Sequence, residues 1–246
     1  GEYNKTGLVR DINTQVKRIL KVATDYGFDD NLWHNYLTFF LMMSENPFSM
    51  TCEKVGASDG SVNELVENDF RIFKELFDYD FGPIEKDLGI NCFSQISNYK
   101  AIHKKDLMYN KNVSEKVRSL SKKLEAAKDE KEFFDAVTGF YKDYGVGMFG
   151  LNKAFRIDDT PQGSFTFRAI NNMDTVMLDD LVGYEIQKKK LVDNTEAFVQ
   201  GKKANNVLLF GDSGTGKSTS IKAIVNQYYK DGLRMIEIYK HQFKYL

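Results

Sequence analysis

Val207-Leu208-Leu209-Phe210-Gly211-Asp212-Ser213-Gly214-Thr215-Gly216-Lys217-Ser218-Thr219 is the stretch on which the reading of this chain turns. Its first four residues are wholly apolar, the pattern of a strand buried on both faces. Gly211 to Ser218 fit G-x-x-x-x-G-K-[ST] at every fixed position, the pattern of a loop that cradles phosphate. Ile221, Ile224, Val225 and Tyr228 then recur at helical spacing, and Gly232 stops the helix. Leu233 to Tyr239 reads as a second strand. Strand, glycine loop, helix and strand together form the βαβ unit in which such a loop works.

The residue types follow from the chemistry. An anion needs several backbone N–H groups aimed at one point, and Gly211, Gly214 and Gly216 permit backbone conformations that side chains forbid. The loop opens a helix whose first N–H groups have no partner and whose dipole favours negative charge. Lys217 is placed to reach the β- and γ-phosphates, and the Ser218 hydroxyl to ligate Mg²⁺ held by the nucleotide. The expected phosphate-binding residues are therefore Gly211, Ser213, Gly214, Thr215, Gly216, Lys217, Ser218 and Thr219, with ATP or ADP and Mg²⁺ as ligand.

Working outward, Tyr184 to Gln200 reads as a helix ended by Gly201, with Asp179-Asp180 at a turn or helix start before it. Phe165 to Ile170 alternates as a strand between Pro161-Gln162-Gly163 and Asn171-Asn172. Gly145-Val146-Gly147-Met148-Phe149-Gly150 is dense in glycine and reads as a hinge or turn. Upstream of it the periodicity is helical. Ile12, Val16, Ile19, Leu20 and Ala23 share one face, and Gly27 stops that helix. Asp30 is expected to cap a second, carrying Trp33, Tyr36, Phe39 and Phe40 and ending before Pro47. Asp59-Gly60 marks a turn, and Ser61 with Glu64 is expected to form a capping box for a third helix. Residues 113–127 and 130–143 read as two more. The domain expectation is an all-α region over 1–145, a hinge and strand over 146–170, and part of a nucleotide-binding domain with a parallel sheet over 171–246.

Composition narrows the class. The chain has 246 residues, 42% apolar and 28% charged, ordinary for a folded globular protein. Its net charge of −1 supplies no field that would draw it to nucleic acid or anionic lipid. Lys188-Lys189-Lys190 and Lys202-Lys203 read as solvated helix faces, with no groove-reading motif beside them. Mean hydropathy is −0.44, and the best apolar run, Leu37 to Met43, is far shorter than a membrane span. A cytoplasmic location is expected, with Cys52 and Cys92 as reduced thiols. His34, His103 and His241 are too scattered to suggest a metal site.

Two further segments carry a resemblance. Leu178-Asp179-Asp180-Leu181-Val182-Gly183-Tyr184-Glu185, followed by a helix and then the phosphate loop, looks like the linker that precedes the loop in AAA+ ATPases. Ala204 to Lys217, with Leu233 to His241, resembles a bacterial group of predicted AAA+ ATPases whose domain has no assigned function. The resemblance covers roughly residues 150–246. It implies that Leu181, Val182, Gly183 and Tyr184 lie against adenine; an ordinary turn that packs Leu181 and Tyr184 is the competing reading. It implies as well that the intact protein couples ATP hydrolysis to remodelling a protein partner, with homo-oligomers as one form of that protein.

The same resemblance calls for an apolar strand ending in paired acids, then a sensor strand and an arginine finger. The chain reaches Leu246 without them, so it is expected to be a C-terminally shortened module that binds nucleotide and hardly hydrolyses it. Glu237 and Asp212 are the acids that could stand in. The alternative is a helical recruitment module whose phosphate loop is regulatory or inactive. A GTP switch is disfavoured, because Asn152-Lys153-Ala154-Phe155 fails the Asn-Lys-x-Asp guanine motif at its last position.

Overall fold

Short polar side chains start most of the helices in the first half of the chain. Asn4, Asn31, Asn46, Asn110 and Asp129 each accept a hydrogen bond from the backbone N–H three residues on, supplying an acceptor to a helix start that lacks one. A computed structural model describes residues 4–57, 61–102 and 109–245, without the side chains of Ser61 and Val62. The chain divides into two compact units, Gly1–Leu151 and Asn152–Leu246.

The first unit is helical: α1 (Lys5–Tyr26), α2 (Leu32–Met43), α3 (Pro47–Val55), α4 (Ser61–Phe77), α5 (Gly82–Leu88), α6 (Cys92–Ser97), α7 (Lys111–Ala126), α8 (Glu130–Tyr144) and α9 (Gly147–Leu151). Gly27 closes α1 in the left-handed conformation, φ 64°, with its N–H on the Ala23 carbonyl. Aromatic rings fill the core. Phe70 meets Phe134 with centroids 5.0 Å apart, and Phe77 meets Phe133 at 5.4 Å, both edge-on. Buried side-chain polar atoms find partners as well, except His34 Nδ1, the one such atom among the described residues with no hydrogen bond. Trp33 Nε1 donates to the Leu76 carbonyl at 2.8 Å, Tyr141 donates its hydroxyl to the Leu41 carbonyl at 2.7 Å, and His34 Nε2 lies 2.7 Å from the Phe77 carbonyl. Trp33 and His34 thus partner carbonyls that the end of α4 leaves without helical donors.

The second unit holds β1 (Ala154–Asp159), β2 (Phe165–Ala169), a 3-10 turn (Leu178–Asp180), α10 (Glu185–Val199), α11 (Lys217–Tyr228), β3 (Met235–Glu237) and a second 3-10 turn (Lys240–Tyr245). The sheet order is β2-β1-β3; β1 runs antiparallel to β2 and parallel to β3. Register places Arg156 opposite Arg168, a like-charge pair that would repel. Each arginine is neutralised by an acid: Arg156 Nε donates to Glu237 at 2.7 Å, and Arg168 to Asp158 at 2.6 and 3.0 Å. One small core joins Leu178, Leu191, Ala223, Ile224 and Tyr228, and another joins Ala154, Met173 and Val225.

Several expectations need correction. Asp30 does not cap α2; it takes φ 69° and bridges to Tyr99, and Asn31 is the cap. The glycine run after α8 is not all turn, since Gly147–Leu151 forms a helical turn. The sheet is mixed, not parallel, because β2 returns from β1 through a tight turn closed by Gly163 N–H on the Thr160 carbonyl. Val207–Phe210 is neither in a strand nor buried: Val207 is 49%, Leu208 83% and Phe210 86% exposed. Ladder partners are what it lacks. The partner of β3 is β1, and the backbone N–H and C=O of Asn205, just upstream, are both taken by the Asn194 side chain of α10 at 2.8 Å. The turn at Asp59-Gly60, the capping role of Ser61, and His103 lie outside the described residues or side chains. Among the described residues no helix is long and apolar enough to cross a membrane, and both cysteines are free thiols.

Candidate functional site

Three glycines with positive φ give the loop its path: Gly211 at 137°, Gly214 at 82° and Gly216 at 80°. A β-carbon on Gly214 or Gly216 would meet nothing within 4 Å, so glycine is required there by backbone conformation and not by crowding. Gly216 immediately precedes Lys217, the first residue of α11, so the unpartnered N–H groups of that helix open onto the loop. Ser220 folds its hydroxyl back to the Gly216 carbonyl at 2.9 Å.

Lys217 and Thr215 are engaged inside the loop. The Lys217 ammonium donates to the Gly211 carbonyl at 3.0 Å, the Asp212 carbonyl at 2.6 Å and Thr215 Oγ1 at 3.3 Å. Thr215 in turn donates to the Asp212 carbonyl at 2.9 Å. Gly211, Asp212, Ser213, Gly214 and Ser218 are exposed, while Thr215, Gly216, Lys217 and Thr219 are half-buried. The expected phosphate-binding residues therefore form one contiguous surface at the start of a helix, with a cation at its centre. A helix start beside a lysine is an arrangement that suits an anion.

The linker reaches the same helix. Leu178 and Leu181 join the cluster that contains Ala223 and Ile224 of α11. Lys222 pairs with Asp174 at 2.5 Å, and Asn226 donates to the carbonyls of Asp174 and Val176 at 2.7 and 2.9 Å. Beyond Leu181 the chain turns outward. Val182 is 94% exposed, Gly183 has φ 86°, and Tyr184, 60% exposed, sits in the left-handed region at φ 55°. Lys188 holds the Leu181 carbonyl at 2.6 Å and Glu185 at 2.8 Å. Of the four linker residues, Leu181 packs in the core and Val182 and Tyr184 present apolar surface to solvent.

Glu237 is not free to serve as a metal-holding acid, because its carboxylate is bound by Arg156. Among the described residues no group of three His, Cys, Asp or Glu side chains could hold a metal. Asp159, at the end of β1, accepts from Tyr245 and Gln242, and these bonds hold its carboxyl below the usual range. At the end of α11, burial first and the Glu196 carboxylate second push the Tyr228 hydroxyl up to about 12.

Two features escaped sequence reasoning. β1 was legible in principle, since Phe155 and Ile157 alternate with Arg156 and Asp158. A cleft of about 410 Å³, lined by Leu191, Phe198, Val207, Ile221, Leu233 and Met235 among others, had no local signal, because it is made by residues far apart in sequence. None of residues 211–219 or 181–184 lines it, so it is a surface separate from the glycine loop and the linker.

Residues 151–246 match a family described as protein of unknown function (DUF815). A 58-residue stretch is 40% identical to a replication factor C large subunit of Methanococcus vannielii, covering 24% of this chain and 12% of that protein. The chain thus spans a small fraction of that relative's length. No solved structure matches.

Proposed function

We propose that residues 171–246 bind Mg²⁺-ATP or Mg²⁺-ADP in the manner of an AAA+ ATPase. The observation that carries this is the convergence of Gly211, Gly214, Gly216 and the Lys217 ammonium at the start of α11. Backbone N–H groups of 213–219 and Lys217 would bind the phosphates, and Ser218 would supply a hydroxyl to the nucleotide-held Mg²⁺. Val182 and Tyr184 would offer apolar surface to adenine. The local identity to a replication factor C large subunit supports the AAA+ reading. In the intact protein, hydrolysis would be coupled to remodelling a protein partner, in an oligomer and in the cytoplasm.

The helical unit favours a companion reading as a recruitment module, because its aromatic core closes within that unit. Calorimetric titration of MgADP into the chain and into Lys217→Ala tests the nucleotide reading: binding in the parent and large weakening in the variant are expected. Partner capture that is unchanged by nucleotide and by Lys217→Ala would instead favour a recruitment module with an inactive loop.

A further inference from the structure

We propose that Lys188 is a positioning residue that holds the turn from Leu181 to Tyr184 in the shape that receives adenine. The inference rests on the nucleotide reading above and extends it from the phosphates to the base. The turn has little of its own to fix it. Gly183 at φ 86° and Tyr184 at φ 55° both take the left-handed region, which is unfavourable for a tyrosine. Among the described residues Val182 and Gly183 make no hydrogen bond. Tyr184 stands at the start of α10 with no side-chain bond to that helix. Leu181 is anchored only on its upstream side, by its N–H on the Leu178 carbonyl and by packing beside Ala223 and Ile224.

Lys188 supplies the remaining ties. Its backbone N–H donates to the Tyr184 carbonyl at 2.9 Å, and its ammonium donates to the Leu181 carbonyl at 2.6 Å. One residue thus spans the turn from end to end. A helical side chain leans toward the helix N-terminus, so a lysine in the first turn of α10 lies over the segment before it. Glu185 holds the same ammonium at 2.8 Å. The three successive lysines are therefore not one solvated face. The Lys188 side chain is 18% exposed, whereas that of Lys189 is 75% exposed and pairs with Asp193, one helical turn further on. Without the Lys188 ammonium the turn is free to take other shapes, and binding the base must restore its order at a cost in affinity. Among the described residues no hydrogen bond joins Lys188 to residues 211–219, so that cost falls on the base and not on the phosphates.

Lys188→Met keeps the apolar stem and deletes the ammonium, while Lys189→Met removes the same charge one residue on and serves as control. Calorimetry on the full chain and both variants compares MgATP with Mg²⁺-tripolyphosphate, which offers phosphates without a base. Lys188→Met is expected to bind MgATP about three- to tenfold more weakly, the weight of one net hydrogen bond, with its tripolyphosphate affinity unchanged. Lys189→Met should match the parent for both ligands. If Lys188→Met does not fold, Lys188→Gln, whose amide is one atom too short for the Leu181 carbonyl, carries the same expectation. Equal loss of affinity for both ligands, or for neither, overturns the proposal. A folded parent that binds neither ligand overturns the nucleotide reading and this proposal with it. A parent that binds both ligands equally leaves the phosphate site standing and overturns the role of the turn and of Lys188 alone.

Discussion

The two halves of this chain solve the burial problem differently. In the helical half, phenylalanines from distant helices interlock, and Trp33 Nε1, His34 Nε2 and the Tyr141 hydroxyl find carbonyls on other helices or across the core. In the phosphate-loop half, two small clusters support α10 and α11, while Val207, Leu208 and Phe210 stay exposed and a cleft opens beside them. The difference teaches how each half is held: one by its own aromatic packing, the other by small clusters beside a loop whose lysine is bound by the loop's own carbonyls.

Deleting a buried ring should break that contrast most sharply. Phe133 is fully buried, and Phe133→Ala is expected to cost about 3–5 kcal/mol. Denaturant unfolding should show the loss in the helical half, with the transition of the other half unmoved; a uniform shift of both would contradict the division. Asn194→Ala should come next. It frees both backbone groups of Asn205 and the segment that leads into the loop, for about 1 kcal/mol of that half's stability. MgADP affinity should fall alongside, and unchanged affinity would show that the loop is placed without this clamp.

Alkaline pH gives a smaller and more selective probe. The Tyr228 hydroxyl is raised to about 12, so folding favours its neutral form. The stability this supplies is complete below about pH 10, the ordinary tyrosine range, and is lost as pH rises through the folded value. Tyr228→Phe should therefore flatten the alkaline decline of the phosphate-loop half, read as the difference between variant and parent unfolding at pH 9 and pH 11. An identical decline in both would remove Tyr228 as its source. Glu237→Gln should do least to stability, since its pair with Arg156 is part-exposed and screened by solvent. Phosphate release should stay at background in parent and variant alike, and clear turnover in the parent that Glu237→Gln abolishes would make Glu237 catalytic.

Much of this was legible along the sequence because the signals are local. A glycine at a positive φ, a lysine opening a helix and an asparagine three residues ahead of a free N–H each act within one turn of chain. Gly211, Gly214, Gly216 and Lys217 are therefore found where the pattern put them. Pairing is not local. Nothing within Val207–Phe210 tells an apolar strand from an apolar run without a ladder; that depends on β3 pairing with β1 and on Asn194 reaching Asn205 from α10. The same limit applies to Asp30 and Asn31, neighbours with equal capping chemistry, between which the Asp30–Tyr99 bridge decides.

The central claim is that residues 211–219 form a nucleotide phosphate site centred on Lys217. Thermal unfolding of the chain with and without MgADP tests it most directly. At a ligand concentration about a hundredfold above its dissociation constant, the phosphate-loop half should gain ~2.7 kcal/mol while the helical half stays put. Lys217→Ala should weaken affinity by about 10- to 100-fold, the weight of a charged hydrogen bond, and so cancel from about half to most of that gain. A well-folded parent whose transitions do not move with MgADP or MgATP, or a Lys217→Ala variant stabilised as strongly as the parent, would contradict the account.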